Sequence, residues 1–170
     1  MMESTLEMGL QDLLHKGEIH DVLMRYCRGV DRGDQDLIVS SFHSDATIDA
    51  GKGKITPADI ARTATSDDHI QTHLYGNCLI ELVGDVAWSE TYFLAFHVDD
   101  RKGKRFMRTR SARAIDQFER RSGVWKIAKR VVADDWSRVD EIVEYAAGVP
   151  VTGRRSHEDP VYQFKEDRSS

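Results

Sequence analysis

Four long segments rich in β-branched and aromatic residues fill much of the second half of this chain, and they constrain its fold more than any other feature. They span residues 73–83, 87–98, 105–119 and 124–133. A short connection containing glycine separates each from the next, as in strands joined by tight turns. Short connections join antiparallel neighbours, because a parallel pair needs a long crossover. The pattern therefore predicts an antiparallel meander.

Helical patterns precede the meander. Residues 11–32 carry one apolar stripe at helical spacing, formed by Ile19, Val22, Leu23, Tyr26 and Val30. We also expect helices at 34–42, from Pro57 onward and at 136–147, a strand at 46–49 and a turn at 51–53. Helices followed by a meander predict an α+β domain in which helices cover one face of a curved sheet. A cavity can persist between the two layers.

The length of 170 residues suits one domain. We expect a flexible N-terminus over residues 1–10, the domain over 11–148 and a C-terminal tail over 149–170. No apolar run approaches the ~20 residues of a membrane span, and the first residues lack the apolar core of a signal peptide. Cys27 and Cys78 have neither metal-type nor disulfide-framework spacing. These features predict a cytoplasmic protein without a membrane partner.

The charge balance argues against a nucleic-acid partner. Lys and Arg number 24 against 29 Asp and Glu, which gives a formal charge of −5. Nucleic-acid binders present a broad basic surface instead. The basic stretch 101–110 is either a phosphate-contacting patch or a solvated hairpin tip, and the neighbouring Asp99 and Asp100 favour the tip.

Two residues of the first predicted helix are candidates for chemistry. Asp31 lies near the C-terminal end, where the helix dipole disfavours an anion. Such a carboxylate is either functional or simply solvated at the helix end. Tyr26 lies on the apolar stripe, where it is either a core aromatic residue or part of a pocket wall.

His73, which begins the first long strand, is a third candidate. Strict alternation places it on one face of the strand with Tyr75, Asn77 and Leu79. This mixed polar and aromatic face suits the wall of a pocket, although a structural role for the histidine is also open. The opposite face is apolar and needs to be covered by a helix or another subunit, and it comprises Leu74, Cys78, Ile80 and Leu82.

A metal site has little support. His69 and His73 lie four residues apart beside Asp67 and Asp68, but this spacing brings two histidines together on a helix rather than on a loop entering a strand. Serine-elbow, phosphate-loop and dinucleotide motifs are also lacking. We expect no metal and no organic cofactor.

Four motifs resemble those of the SnoaL-like family in the nuclear transport factor 2-like superfamily. They are residues 26–34 (YCRGVDRGD), 42–46 (FHSDA), 73–77 (HLYGN) and 123–132 (GVWKIAKRVV), in the family's order. The resemblance implies a cone-shaped α+β barrel, with N-terminal helices packed on a strongly curved, mainly antiparallel sheet that encloses a pocket. It also implies a homo-oligomer, with a trimer favoured and a dimer as the alternative.

The resemblance also implies site residues. Scytalone dehydratases, bile acid 7α-dehydratases and hexachlorocyclohexane dehydrochlorinases share an Asp–His dyad that corresponds to Asp31 and His73. Tyr26 matches a tyrosine of the dehydratases, where the dehydrochlorinases have lysine. Arg130 falls where the dehydrochlorinases have an active-site arginine. The implied activity is cofactor-independent elimination of water from a small hydrophobic or polycyclic carbonyl compound.

In such an elimination His73 would abstract a proton, Asp31 would fix the imidazole tautomer and Tyr26 would stabilise the enolate. Arg130 either assists at the carbonyl or pairs with Asp31. An isomerase or polyketide cyclase would use the same proton abstraction. The rival class is a non-catalytic module that binds a ligand or partner. A cavity beside Tyr26, Asp31 and His73 favours the enzyme; an exposed apolar sheet face and a cavity filled by Trp88, Phe93 or Phe106 favour the module.

Overall fold

The computed structural model describes residues 2–51, 53–65, 70–142 and 153–166. The first half contains helices α1 (Met2–Arg32), α2 (Gln35–Ser40) and α3 (Pro57–Thr65), and strands β1 (Phe42–Asp49) and β2 (Lys54–Ile55). The meander follows as β3 (Ile70–Val83), β4 (Val86–Arg101), β5 (Lys104–Arg121) and β6 (Val124–Glu141). Helix α4 (Pro160–Glu166) lies in the C-terminal segment.

The strands form one curved, unclosed sheet in the order β2-β1-β6-β5-β4-β3. All neighbours are antiparallel except β1 and β6, which run parallel. Register shifts in β3 and in the β5–β6 pair mark bulges, which increase the local bend and twist of a strand. The predicted α+β class and the helix-covered antiparallel meander are confirmed.

The core lies between the sheet and the apolar stripe of α1. Ile19, Leu23 and Ile127 are fully buried there. Burying side chains of this size contributes about 1.5–3 kcal/mol each. Trp125, also buried, donates its indole N–H to Nδ1 of His15 at 3.1 Å, so its polar atom is satisfied. The periodic stripe in the sequence therefore identifies the face of α1 that packs on the sheet.

The ends of the fold differ from expectation. Residues 136–141 continue β6 rather than starting a helix, because they pair with β5 as far as Glu141 opposite Phe106. The remainder of the predicted helix, 143–147, lies outside the described residues. Helix α1 begins at Met2, within the segment expected to be a flexible N-terminus. The proposed domain limits stay a prediction.

Strands elsewhere extend beyond their predicted ends, and the two-residue strand β2 is an addition that no sequence pattern indicated. Among the described residues, no helix is long and apolar enough to cross a membrane.

Candidate active site

Asp31 and His73 meet where the last turn of α1 crosses β3. Nδ1 of His73 lies 2.6 Å from one carboxylate oxygen of Asp31, and the backbone N–H of His73 donates to the other at 3.0 Å. The two side chains are 13–14% exposed. Because an ionised carboxylate only accepts hydrogen bonds, Nδ1 carries the imidazole proton. Nε2 is then the ring nitrogen that can accept another proton.

A bulge in β3 sets which side chains share the inner face with His73. The register passes from Tyr75 opposite Phe93 to Cys78 opposite Thr91, so β3 contains one extra residue. Beyond it the alternation reverses. Strict alternation was therefore wrong: the inner face combines His73 and Tyr75 with Cys78, Ile80 and Leu82, which pack towards the core.

The extra residue also moves Leu79 away from His73. Leu79 is 64% exposed and shares the outer face with Leu74, which is 58% exposed. The first part of the predicted face, His73 with Tyr75, is retained because it precedes the bulge.

Arg130 and Tyr26 form a second buried group. Arg130 donates from Nε and Nη2 to the two oxygens of Asp116, at 2.7 and 2.8 Å. Its guanidinium lies 4.2 Å from the centroid of the Tyr26 ring. The ion pair of Arg130 is thus with Asp116, and not with Asp31 as one interpretation of the sequence had it.

Burial and the neighbouring charges shift the pKa values of both Arg130 and Tyr26. Desolvation disfavours the charged form of Arg130, but Asp116 overcomes it and holds the Arg130 pKa well above its usual range. Burial raises the pKa of the Tyr26 hydroxyl, while the Arg130 cation and its hydrogen bond oppose the rise. Tyr26 is therefore a neutral hydroxyl polarised by a cation.

Aromatic and basic side chains surround His73 on the inner face. The ring centroids of Phe93 and His97 lie 6.1 and 5.8 Å from that of His73. Burial, followed by the charges of His73 and Arg108, lowers the pKa of His97 to about 4. His97 is consequently neutral at pH 7. Arg110 lies over Phe93 and forms an ion pair with Asp134.

Cys27 lies one turn before Asp31 on α1, and its thiol donates to the carbonyl oxygen of His73 at 3.7 Å. Burial and the Asp31 carboxylate raise the Cys27 pKa to about 12. Because only a thiolate is an effective nucleophile, Cys27 does not supply one at neutral pH.

A cavity of about 560 Å³ lies on the other side of α1, between this helix and the turn that joins β5 to β6. Its walls include Asp21, Arg25, Arg28 and Val124. None of its lining residues is Tyr26, Asp31, His73 or Arg130. This cavity is therefore not the one expected beside Tyr26, Asp31 and His73. The ring of Phe93, which is 8% exposed, lies next to His73 on the inner face.

The described residues contain no group of three or more side chains arranged to hold a metal ion. Asp67, Asp68 and His69, which the sequence brought near His73, lie outside the described residues. The one described member of that set, His73, directs Nδ1 to Asp31.

A SnoaL-like domain profile matches residues 11–131, which is more than half of the chain. The chain belongs to the SnoaL-like family. No curated protein sequence gives a significant match to this SnoaL-like protein. Solved structures similar to it share its fold at low sequence identity.

One similar structure is a hexachlorocyclohexane dehydrochlorinase, LinA type 2, with a TM-score of 0.73 and 21% identity over 83% of this chain and 99% of that one. A scytalone dehydratase-like protein from Novosphingobium aromaticivorans has a TM-score of 0.66 and 18% identity, over 83% of this chain and 97% of that chain. A Mycobacterium tuberculosis protein of unknown function has a TM-score of 0.65 and 20% identity over 74% of each chain. At these identities the likeness establishes the fold alone, because one fold can host many unrelated functions.

Sequence reasoning missed Asp116 and His97. Alternation along β5 places Asp116 on the same face as Ala112, Ala114 and Phe118, so an acid among inward-facing apolar residues was a signal of a buried ion pair. His97 shares the inner face of β4 with Phe93 and Ala95. Its approach to His73 depends on the β3–β4 register, which the bulge displaces by one residue.

Proposed function

We propose that this SnoaL-like protein is a cofactor-independent lyase of the dehydratase type, in which Asp31 and His73 act as a catalytic dyad. The observation that carries the proposal is the 2.6 Å contact between Nδ1 of His73 and Asp31. It leaves Nε2 basic and gives any imidazolium formed during the reaction an adjacent carboxylate. The substrate class is a small hydrophobic carbonyl compound with a hydroxyl on the β carbon.

The reaction begins when Nε2 of His73 removes the proton from the carbon next to the carbonyl. The electron pair of that C–H bond forms an enolate, and Asp31 stabilises the resulting imidazolium. The enolate then collapses to a carbon–carbon double bond as the bond to the β hydroxyl breaks. The imidazolium returns its proton to this hydroxyl, which leaves as water, so His73 is regenerated. A positioned acid–base group of this kind contributes about 10²–10⁴ in rate.

Tyr26 is proposed to donate a hydrogen bond to the carbonyl oxygen as it becomes an enolate. The Arg130 cation beside the ring favours this, because it opposes the effect of burial on the Tyr26 pKa and makes the hydroxyl a stronger donor. Arg130, whose Nε and Nη2 are occupied by Asp116, assists through Tyr26. Dehydration, isomerisation and cyclisation all begin with this proton abstraction. The identity of the substrate decides which of the three reactions follows.

A non-catalytic binding module is the second candidate, favoured by the outer face of the sheet. Trp88, Tyr92, Leu79 and Ile115 are each 42–64% exposed there. Apolar patches of this kind mark interaction sites. If the protein is the enzyme, we propose instead that copies of this chain cover the same patch in a homo-oligomer, with a trimer favoured and a dimer as the alternative. The free cysteines Cys27 and Cys78 fit the reducing cytoplasm.

The test is a panel of β-hydroxy ketones and esters, aliphatic to polycyclic, followed by the ultraviolet absorbance of the conjugated product. We expect turnover by the wild type and a loss of at least about 10²-fold in the His73→Gln variant. His20→Gln, which makes the same substitution at an exposed histidine of α1, is the matched control and keeps wild-type rates. Turnover that persists in His73→Gln excludes the dyad. A ligand that binds but is neither turned over nor exchanges its α proton favours the binding module.

A further inference from the structure

Residues 153–166, here called the C-terminal strap, pack against the corner between α1 and α2. Nη2 of Arg155 donates to the carbonyl oxygen of Val30 at 3.2 Å. The hydroxyl of Tyr162 donates to Oδ2 of Asp34 at 2.8 Å. These two contacts lie on either side of Asp31 in the sequence, one residue before it and three after it.

Ionic and aromatic contacts reinforce the attachment of the strap. Nε of Arg32 lies 3.4 Å from Oδ2 of Asp159, whose side chain is 5% exposed. Asp159 also accepts backbone N–H bonds from Arg154 and Val161, which, together with the cation of Arg32, hold its pKa below the usual range despite burial. The guanidinium of Arg28 lies 4.9 Å from the centroid of the Tyr162 ring.

We propose that the C-terminal strap positions Asp31 for catalysis, with Tyr162 as its main positioning residue. This inference rests on the proposed function, since it assigns a role to the strap in the same reaction. It concerns a segment outside residues 11–131, the part of the chain that matches the family. The strap acts through the helix corner that carries the carboxylate.

Asp31 needs such support because it lies in the last turn of a helix. The last four carbonyl groups of a helix lack intrahelical partners, and terminal turns fray. Arg155 satisfies the Val30 carbonyl, and Gly33 ends the helix with a φ of 67°. A Cβ at Gly33 would lie 3.3 Å from the Arg155 carbonyl oxygen, so the strap and the corner are in close contact.

Asp34 connects the strap to the following helix. Its Oδ1 accepts the N–H of Leu37 and caps α2, while its Oδ2 accepts the Tyr162 hydroxyl. Asp34 is 7% exposed. Removing the hydroxyl leaves Oδ2 with one partner fewer and frees the corner to move relative to α2. Misplacement of a catalytic group by about 1 Å can reduce a rate by about 10²-fold.

The experiment compares the full-length wild type with Tyr162→Phe. The control is Arg120→Met, which removes an exposed ion pair with Asp85 at the β3–β4 turn. The direct readout is the ¹H–¹⁵N resonance of the His73 Nδ1 proton, which an imidazole–carboxylate hydrogen bond moves far downfield and protects from exchange. Asp31→Asn assigns the resonance by removing it. The second readout is kcat and KM on any substrate that the β-hydroxy carbonyl panel identifies.

We expect Tyr162→Phe to broaden the Nδ1 resonance or shift it upfield and to reduce kcat about tenfold with little change in KM. Arg120→Met should match the wild type in both readouts. Arg155→Met, which removes the donor to Val30, should reproduce the Tyr162→Phe result. A folded Tyr162→Phe protein with an unchanged Nδ1 resonance overturns the positioning role.

The same experiment separates failure of this inference from failure of the proposed function. A downfield Nδ1 resonance that is present in the wild type and unaffected in Tyr162→Phe removes the role of the strap and leaves the dyad intact. A wild type without the resonance removes the hydrogen-bonded dyad, and the strap then has no carboxylate to position.

Discussion

Replacing Asp116 by asparagine leaves the guanidinium of Arg130 buried without a counter-charge. Arg130 and Asp116 are each 1% exposed and share two hydrogen bonds of 2.7 and 2.8 Å. Removing one partner of such a buried pair costs about 3–5 kcal/mol, because the remaining charge stays desolvated. Asparagine keeps one oxygen acceptor, so we expect about 3 kcal/mol. Urea unfolding at one fixed protein concentration, followed by circular dichroism, measures this loss.

Removing the other partner should behave differently with pH. In Arg130→Met the buried Asp116 has lost its counter-charge, and its carboxylate can become neutral by binding a proton. A guanidinium cannot become neutral between pH 5 and pH 7, because it does not lose its proton there. The destabilisation of Arg130→Met is therefore greatest near pH 7 and shrinks as the pH falls towards 5. The destabilisation caused by Asp116→Asn stays constant between pH 7 and pH 5.

The double variant Asp116→Leu/Arg130→Met is the control for volume and packing. Replacing both charges by apolar groups should recover most of the lost stability, since buried ion pairs are often neutral relative to hydrophobic pairs. A loss of less than about 1 kcal/mol in Asp116→Asn, or the same dependence on pH in the two single variants, would show that the buried charge is not what destabilises them.

Three further predictions concern the site and the sheet. Asp31→Asn turns an amide N–H towards Nδ1 of His73 and reverses the tautomer, so kcat should fall by about 10²–10⁴ while the urea midpoint changes little. Since the folded-state pKa of His97 is about 4 against an ordinary 6.5, the unfolded chain protonates first as the pH falls from 6.5 to 4. The free energy of unfolding should therefore fall between pH 6.5 and pH 4 by less than about 3 kcal/mol, because the partly exposed ring is screened by solvent. In urea titrations, His97→Asn should make this dependence on pH weaker. Trp88→Glu, at a side chain 44% exposed on the outer face, should convert an oligomer to monomers in sedimentation velocity; unchanged sedimentation argues against this interface.

Features that depend on local sequence could be predicted well. The stripe from Ile19 to Val30 identified the buried face of α1, and the glycines at 84, 103 and 123 marked the turns of the meander. Each of these glycines has a positive φ, which other residues rarely adopt. The meander and its order followed from these signals alone.

Features set by distant contacts could not be predicted. Residues 136–141 have a composition compatible with a helix, but pairing with β5 holds them in a strand. The bulge after Tyr75 reverses the faces of β3, and strict alternation along a single strand does not reveal where such an extra residue lies. In the site, the family resemblance predicted Asp31 and His73 as a pair. The ion pair of Arg130 with Asp116 could not be predicted, because it depends on the register of β5 and β6.

In the proposed reaction His73, held by Asp31, removes a proton from the carbon next to a carbonyl group. The most direct test is deuterium uptake in D₂O by a panel of hydrophobic ketones, followed by mass spectrometry, because this step precedes elimination, isomerisation and cyclisation alike. We predict that the wild-type protein catalyses uptake at the α carbon of a ketone that fits the site and that Asp31→Asn and His73→Gln abolish it. Uptake at the uncatalysed rate for every ketone that binds, or equal uptake in the variants, would show that the Asp31–His73 pair does not remove this proton.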